Sequence, residues 1–202
     1  MISREVCSKA KTGCIAGLVG GFALFSSFFW IDSELGVPFG TFYKEVGVMV
    51  GLDAMPAIAF GFFAHMMVAA AVGAVFCVVS TFHEMLRISS VPKGIIGGAA
   101  IGLITYALFF MPITMYVMLP SISAQATGMV PTTQENMLIA QILMETSDKI
   151  LWGALILHIL YGSVMGLFSA MILYEEYNMK GKEKRQKKEP WKKFESENWP
   201  ST

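Results

Sequence analysis

Two histidines, His65 and His158, are the residues whose type and setting could support chemistry, because each lies within a long apolar stretch. Each is followed by a small residue four positions on and by a glycine four positions beyond that: Ala69 and Gly73 in the first case, Gly162 and Gly166 in the second. At about 3.6 residues per turn, the three positions share one helix face. Imidazoles inside a membrane could relay protons, line a solute path or bind a metal ion.

Soft sulfur ligands near these histidines would suit copper(I). The methionines available for this are Met66, Met67, Met111, Met115, Met118 and Met165. Against a metal site, neither histidine belongs to a spaced ligand motif, no carboxylate is expected at their depth, and methionine commonly fills helix interfaces. We therefore expect no metal and no cofactor. The favoured role for each imidazole is packing, with a hydrogen bond to a backbone carbonyl or hydroxyl group on a neighbouring span.

Other catalytic signatures are missing from the sequence. It has no phosphate-binding glycine loop followed by Lys and Ser or Thr, no nucleophile elbow and no zinc motif. The three cysteines, Cys7, Cys14 and Cys77, lack metal-site spacing and are interpreted as packing residues without a disulfide. We predict no catalytic residue in this chain.

The histidines lie in a sequence that is too apolar for an ordinary soluble domain, at 54% hydrophobic and 15% charged residues. Four apolar runs, 12–31, 56–80, 94–119 and 150–174, each have the roughly 20 residues that a membrane-spanning helix needs. The first run ends in Phe28-Phe29-Trp30, an aromatic anchor rather than a signal-peptide cleavage site. Pro112 should kink the third span or mark its end.

The charged residues predict the topology. Lys and Arg gather near the N-terminus, in connection 81–93 and between Lys180 and Lys193, whereas the loops 32–55 and 120–149 carry mainly Asp and Glu. By the positive-inside rule, both termini are cytoplasmic and the two loops lie outside a cell (plasma) membrane. His65 and His158 then lie about 13 Å from the outer ends of their spans, in the outer half of the membrane.

The sequence also contains an internal repeat. The glycine pattern 13, 17, 21 recurs at 94, 98, 102, Val37-Pro38 recurs at Val130-Pro131, and His65 recurs at His158. An insertion of about 12 residues near 111–128 reconciles the two alignments. The predicted fold is all-α: four transmembrane helices in a domain of residues 1–177, arranged as two parallel-repeat hairpins, about 12–80 and 93–174.

Glycines along the spans predict close helix packing, because two backbones can approach each other where side chains are absent. The residues expected at these contacts are Gly13, Gly17, Gly21, Gly73, Gly94, Gly98, Gly102 and Gly166. Packing within the chain is the simpler interpretation, and contact with another subunit is the alternative.

The outer loops should contain short interfacial helices. Phe39, Phe42, Tyr43, Val46 and Val50 recur at helical spacing, with Lys44 and Glu45 pointing away from that apolar face. In the second loop, Thr132 and Glu135 form a capping-box pattern for a helix that runs to about Glu145.

Residues 178–202 form a charged cytoplasmic tail that is dominated by Lys and Glu and contains Trp191 and Trp199. Such a tail could bind anionic lipid. Its glutamates argue against nucleic-acid binding.

The repeated four-span pattern, the glycine patterns and the run Gly-Val-Pro-Phe-Gly-Thr-Phe-Tyr at 36–43 resemble small archaeal multi-pass membrane proteins, among them the accessory subunits of archaeal ammonia monooxygenase. The resemblance covers residues 12–175 and implies that any copper chemistry belongs to other chains. The first hypothesis is therefore a non-catalytic accessory or scaffold subunit that contacts other membrane subunits. The second is a small transporter or channel with a path past His65 and His158. The third is an enzyme or metal-binding protein that uses those histidines.

Overall fold

The computed structural model describes the backbone of residues 4–82 and 86–188, and the side chains of residues 6–82 and 86–173. Within these ranges the chain is all-helical. The helices are α1 (Arg4–Leu35), α2 (Thr41–Val48), α3 (Ala54–Val79), α4 (Val91–Ala126), α5 (Gln134–Glu145) and α6 (Ser147–Lys188).

Four of these helices are long and apolar enough to cross a membrane, which confirms the four spans expected from the sequence. The apolar helical segments are Val6–Leu35, Ala54–Val79, Val91–Ala126 and Ser147–Leu173. Helical segments of this kind satisfy their own backbone hydrogen bonds in lipid. The chain is thus a multi-pass membrane protein.

Local capping explains where several helices begin. The Asp53 carboxylate accepts a hydrogen bond from the Ala54 amide at the start of α3, and Pro92 occupies the first turn of α4, where its missing N–H is tolerated. The cap of α5 is Thr133, whose hydroxyl accepts from the Asn136 amide at 3.2 Å. The Thr132 and Glu135 capping box was therefore wrong by one position, while the helix does end at Glu145.

Pro112 does not end the third span, contrary to one of the two outcomes expected for it, because α4 continues to Ala126. Two π-helical turns flank the proline, Tyr106–Phe110 and Thr114–Met118. Local π-helical adjustment is one way in which a membrane helix accommodates a residue that cannot donate a backbone hydrogen bond.

Glycine contacts hold the spans together in two antiparallel pairs. In the α1–α3 pair, a side chain at Gly13 would collide with the Gly73 carbonyl, and one at Gly17 with the Ala69 carbonyl. In the α4–α6 pair, a side chain at Gly98 would collide with the Gly162 carbonyl. The backbones touch at these points, where even a methyl group would not fit.

The two pairs meet along α1 and α6. Gly20 of α1 faces Tyr161 and Met165 of α6, and the Tyr161 hydroxyl donates a hydrogen bond to the Ala69 carbonyl of α3 at 2.9 Å. By contrast, α3 and α4 have few contacts with each other. At one of these contacts, the Phe76 ring lies 3.6 Å from the position that a Cβ atom would take at Gly97. The bundle is therefore closed along α1 and α6 and open along much of α3 and α4.

The ends of the spans linked by α2 and α5 carry a second layer of structure, here named the α2/α5 end. Helix α2 packs lengthwise on the first turns of α3, with Gly47 against Ala57 and Tyr43 against Gly61. Helix α5 packs against the last turns of α4, where Ile122, Ala140 and Leu143 belong to a separate small core. Helices α2 and α5 are joined by a hydrogen bond of 2.7 Å from the Lys44 ammonium to the Asn136 side chain.

The helical backbone of α6 extends past the apolar span to Lys188. The rest of the predicted charged tail, with Trp191 and Trp199, lies outside the described residues. So does His83 in the connection between α3 and α4.

Candidate functional site

His65 contacts the backbone of the neighbouring span. Its Nε2 lies 3.4 Å from the Gly21 carbonyl oxygen of α1. A carbonyl only accepts, so in a neutral imidazole Nε2 carries the proton and Nδ1 is the acceptor. Gly21 permits this approach, since a methyl group there would lie 2.7 Å from the Ala69 Cβ. The Tyr43 ring packs edge-on against the imidazole at a centroid distance of 5.7 Å.

His158 is held by its own helix. Its Nδ1 donates to the Ala154 carbonyl oxygen at 2.7 Å, one turn earlier in α6. In a neutral imidazole this leaves Nε2 as the acceptor, the opposite tautomer from that of His65. Aromatic rings of α4 surround it, with the Tyr106 and Phe110 centroids at 5.6 and 5.0 Å. The carbonyl bond expected of each histidine is present, but only His65 reaches another span.

The structure brings both histidines to one place. They line a cavity of about 50 Å³ together with Thr105 and Tyr161. The same two histidines and Thr105 also line a larger groove of about 360 Å³, here named the α3–α4 groove. The residues that line this groove are Leu24, Phe28, Phe42, Tyr43, Val46, Met49, Gly61, Ala64, His65, Val68, Thr105, Phe109, Phe110, Ile113, Thr114, Met118 and His158.

The eight glycines expected at helix contacts lie in the contacts within this chain. Gly13, Gly17, Gly21 and Gly73 lie between α1 and α3. Gly94, Gly98, Gly102 and Gly166 lie between α4 and α6. Gly102 is close to the histidine, since a side chain on it would collide with the His158 carbonyl. The glycines therefore position both histidines by bringing the backbones together.

Three charged side chains that sequence reasoning assigned to loops or flanks are buried: Lys9, Asp32 and Glu45, at 1%, 1% and 7% exposure. The Asp32 carboxylate accepts from the Gly40 amide at 2.8 Å, which holds the turn before α2. Its other oxygen, Oδ1, is buried and has no hydrogen-bond partner in the described part of the chain. The position of Glu45, next to Lys44 and between apolar residues, gave no sign that its side chain is buried.

Glu45 is the buried acid of α2, although the sequence placed it off the apolar face of that helix. Its carboxylate accepts from Gln125 Nε2 at 3.1 Å. Burial raises the pKa of the Glu45 carboxyl, while the Gln125 hydrogen bond and the Lys44 charge oppose that rise. The partner, Gln125, belongs to the last turn of α4, far from α2 in sequence. Only the folded arrangement shows why an acid is accommodated there.

Tyr43 combines burial with an unpartnered hydroxyl. Its side chain lines the α3–α4 groove, and the hydroxyl has no hydrogen-bond partner among the described residues. Burial, followed by the nearby Asp32 charge, raises the pKa of Tyr43 above its ordinary value. The phenol is therefore neutral near pH 7 and can donate or accept a hydrogen bond.

Within the described ranges, no group of three or more His, Cys, Asp or Glu side chains lies close enough to hold a metal ion. Met66 Sδ lies on the same side of Gly21 as His65, and Met165 is fully buried against Gly20. Cys77 Sγ contacts the Ser169 hydroxyl at 3.4 Å, which makes it a packing contact between α3 and α6.

The fold and these contacts define a class, the four-span α-helical membrane proteins, with a histidine-lined groove between two of the spans. Comparison with known proteins finds no matching protein-family model, no matching curated protein and no matching solved structure.

Proposed function

We propose that this chain is a non-catalytic accessory or scaffold subunit of a larger integral membrane complex. The observation that supports this most directly is a hollow of about 700 Å³ at the α2/α5 end. Residues of both connections line it, Leu52 from the first and Val130 from the second, and both side chains are exposed. Met129, next to Val130 in the chain, is 81% exposed. Apolar side chains exposed around a hollow, outside the four spans, favour contact with another protein.

The proposal includes an orientation and an origin for the fold. The termini are cytoplasmic, the α2/α5 end is outside a cell membrane, and α2 and α5 lie at its outer interface.

The chain arose by duplication of one hairpin. Matched contacts in the two hairpins support this origin. The Gly13–Gly73 contact in the first hairpin corresponds to Gly94–Gly166 in the second, and the Gly17–Ala69 contact corresponds to Gly98–Gly162. Anionic lipid is the proposed partner of the basic tail.

Purification in mild detergent at native expression level tests the subunit proposal. A tagged chain should co-migrate with several other membrane proteins, and mass spectrometry would identify them. The complex that the sequence resemblance implies is a membrane monooxygenase, so its copper-containing subunits are the specific candidates. A chain that migrates alone or as a homodimer would contradict the proposal.

Charge placed on the rim of the hollow should disrupt the complex. Leu52→Glu or Val130→Glu should release the chain from its partners, because burying a carboxylate in an apolar contact is unfavourable. Ser33→Glu is the matched control, since it adds the same charge at an exposed position of α1 that does not line the hollow. Equal loss of partners in all three variants would show that the hollow is not the contact.

The alternative proposal, a small transporter or channel, is supported by the cavity that His65 and His158 share. Two helix contacts weigh against it: the Tyr161 hydroxyl of α6 bonds to the Ala69 carbonyl of α3, and the Phe76 ring of α3 lies against Gly97 of α4. In liposomes, a transporter should show flux that His65→Gln combined with His158→Gln abolishes. Absence of flux for the wild-type chain would eliminate this alternative.

A further inference from the structure

We infer that the α3–α4 groove binds an uncharged, lipid-soluble small molecule that carries a hydroxyl group. This goes beyond a scaffold role, since it assigns a ligand to a part of the chain that the partner contact at Leu52 and Val130 does not use. The groove has a volume of about 360 Å³. Pockets that hold drug-sized ligands begin at roughly 300 Å³ and combine apolar walls with a few polar groups.

The two histidines that line the groove have hydrogen-bonding capacity that would select for a hydroxyl group. His65 Nε2 and His158 Nδ1 are both directed to backbone carbonyls. Each neutral imidazole therefore retains one nitrogen that only accepts, Nδ1 of His65 and Nε2 of His158. A ligand hydroxyl can donate to such a nitrogen, whereas an ether or a hydrocarbon cannot.

A second, independent observation is the Tyr43 hydroxyl. Tyr43 lines the same groove, is 4% exposed, and has no hydrogen-bond partner for its oxygen in the described ranges. Leaving a buried polar group unpaired is unfavourable. The hydroxyl of a ligand accepts as well as donates, so it can pair with both the tyrosine and a histidine.

The remaining walls explain why the ligand is apolar and uncharged. Phe28, Phe42, Phe109 and Phe110 line the groove, and α3 and α4 leave it open along the side that would face lipid. Among the described residues that line it, none has a charged side chain. A charged ligand would have to lose its hydration without an ionic partner.

A matched pair of probes tests the inference, 4-octylphenol and its methyl ether 4-octylanisole. The two share the same chain and ring, but only the phenol can donate. With the protein in phosphatidylcholine nanodiscs, the phenol should bind saturably and about tenfold more tightly than the ether. Equal affinities, or no saturable binding of either probe, would overturn the inference.

Two variants locate the binding. Ala64→Phe fills the groove and should abolish saturable binding of the phenol. Ala71→Phe adds the same ring at an exposed position of α3 that does not line the groove, and should leave binding unchanged. Retained binding in a folded Ala64→Phe protein would overturn the assignment of the site.

Nitrogen NMR gives a readout that does not depend on the Ala64→Phe protein folding. In His83→Gln protein labelled with ¹⁵N-histidine, the two remaining acceptor nitrogens belong to His65 and His158. The phenol should shift at least one of these signals, and the anisole should shift neither. If the phenol leaves both signals in place, the histidines do not recognise the hydroxyl and the inference fails.

Discussion

The Tyr161 hydroxyl of α6 donates a hydrogen bond of 2.9 Å to the Ala69 carbonyl oxygen of α3. Tyr161 is 3% exposed and also lines the small cavity that contains both histidines. The bond joins the α1–α3 pair to the α4–α6 pair beside the cavity that both histidines line. It thus links helix assembly to the shape of the candidate site.

Tyr161→Phe should lower the free energy of unfolding by about 1 kcal/mol, because it removes one buried hydrogen bond but retains the ring. Thermal unfolding in detergent measures the change. Tyr116→Phe is the control, since Tyr116 is 82% exposed. Identical unfolding of the two variants would show that the bond between the pairs does not contribute to stability.

Gly98→Ala should destabilise the bundle by about 1–3 kcal/mol, because the added methyl group would collide with the Gly162 carbonyl and force the two backbones apart. The neighbouring Gly97→Ala is a matched control. Its methyl group would meet the Phe76 ring at 3.6 Å, an ordinary contact, and alanine favours the helix by up to about 1 kcal/mol. Denaturant titration should therefore separate the two variants clearly, and equal stabilities would argue against the close α4–α6 contact.

Stability should depend on pH through Glu45. Because burial raises the pKa of this carboxyl in the folded protein, folding favours its neutral form. This contribution is present in full below the unfolded-state pKa, close to the ordinary value of 4.5, and is lost as the pH rises through the higher folded-state pKa. Glu45→Gln keeps an acceptor for Gln125 but cannot ionise, so it should weaken the decline in stability with rising pH.

Unfolding followed between pH 4 and pH 8 measures this difference. Glu34→Gln, which changes an exposed acid of α1, should retain the wild-type dependence. If Glu45→Gln also retained it, ionisation of Glu45 would not contribute to the pH dependence.

The proposed orientation predicts which thiols a membrane-impermeant maleimide reaches in intact cells. A cysteine introduced by Ser33→Cys, near the α2/α5 end of α1, should react from outside. Cys7 is exposed near the opposite end of the same helix and should react only after the membrane is opened. Cys77 is buried and should react in neither case until the protein unfolds. Mass spectrometry resolves the three sites, and labelling of Cys7 in intact cells would reverse the orientation.

The class of this protein follows from its sequence alone, because the ability of a segment to cross a membrane depends on its own length and hydropathy. The four spans were predicted in this way. The helix spacing of the glycines similarly indicated where backbones could touch, since a missing side chain is a local property. A histidine bonded to a backbone carbonyl was also expected, although its partner could not be named.

Only the tertiary structure decided which charged residues are buried and where the bundle opens. Glu45 is accommodated by Gln125, and Asp32 by the Gly40 amide, contacts that connect different parts of the chain. The groove depends on an asymmetry between the two pairs of spans. Gly20 lets α1 approach Tyr161, but Ile101 occupies the position in α4 that aligns with Gly20. Contacts of this kind depend on how whole helices are arranged, and hydropathy and spacing within one segment carry no information about them.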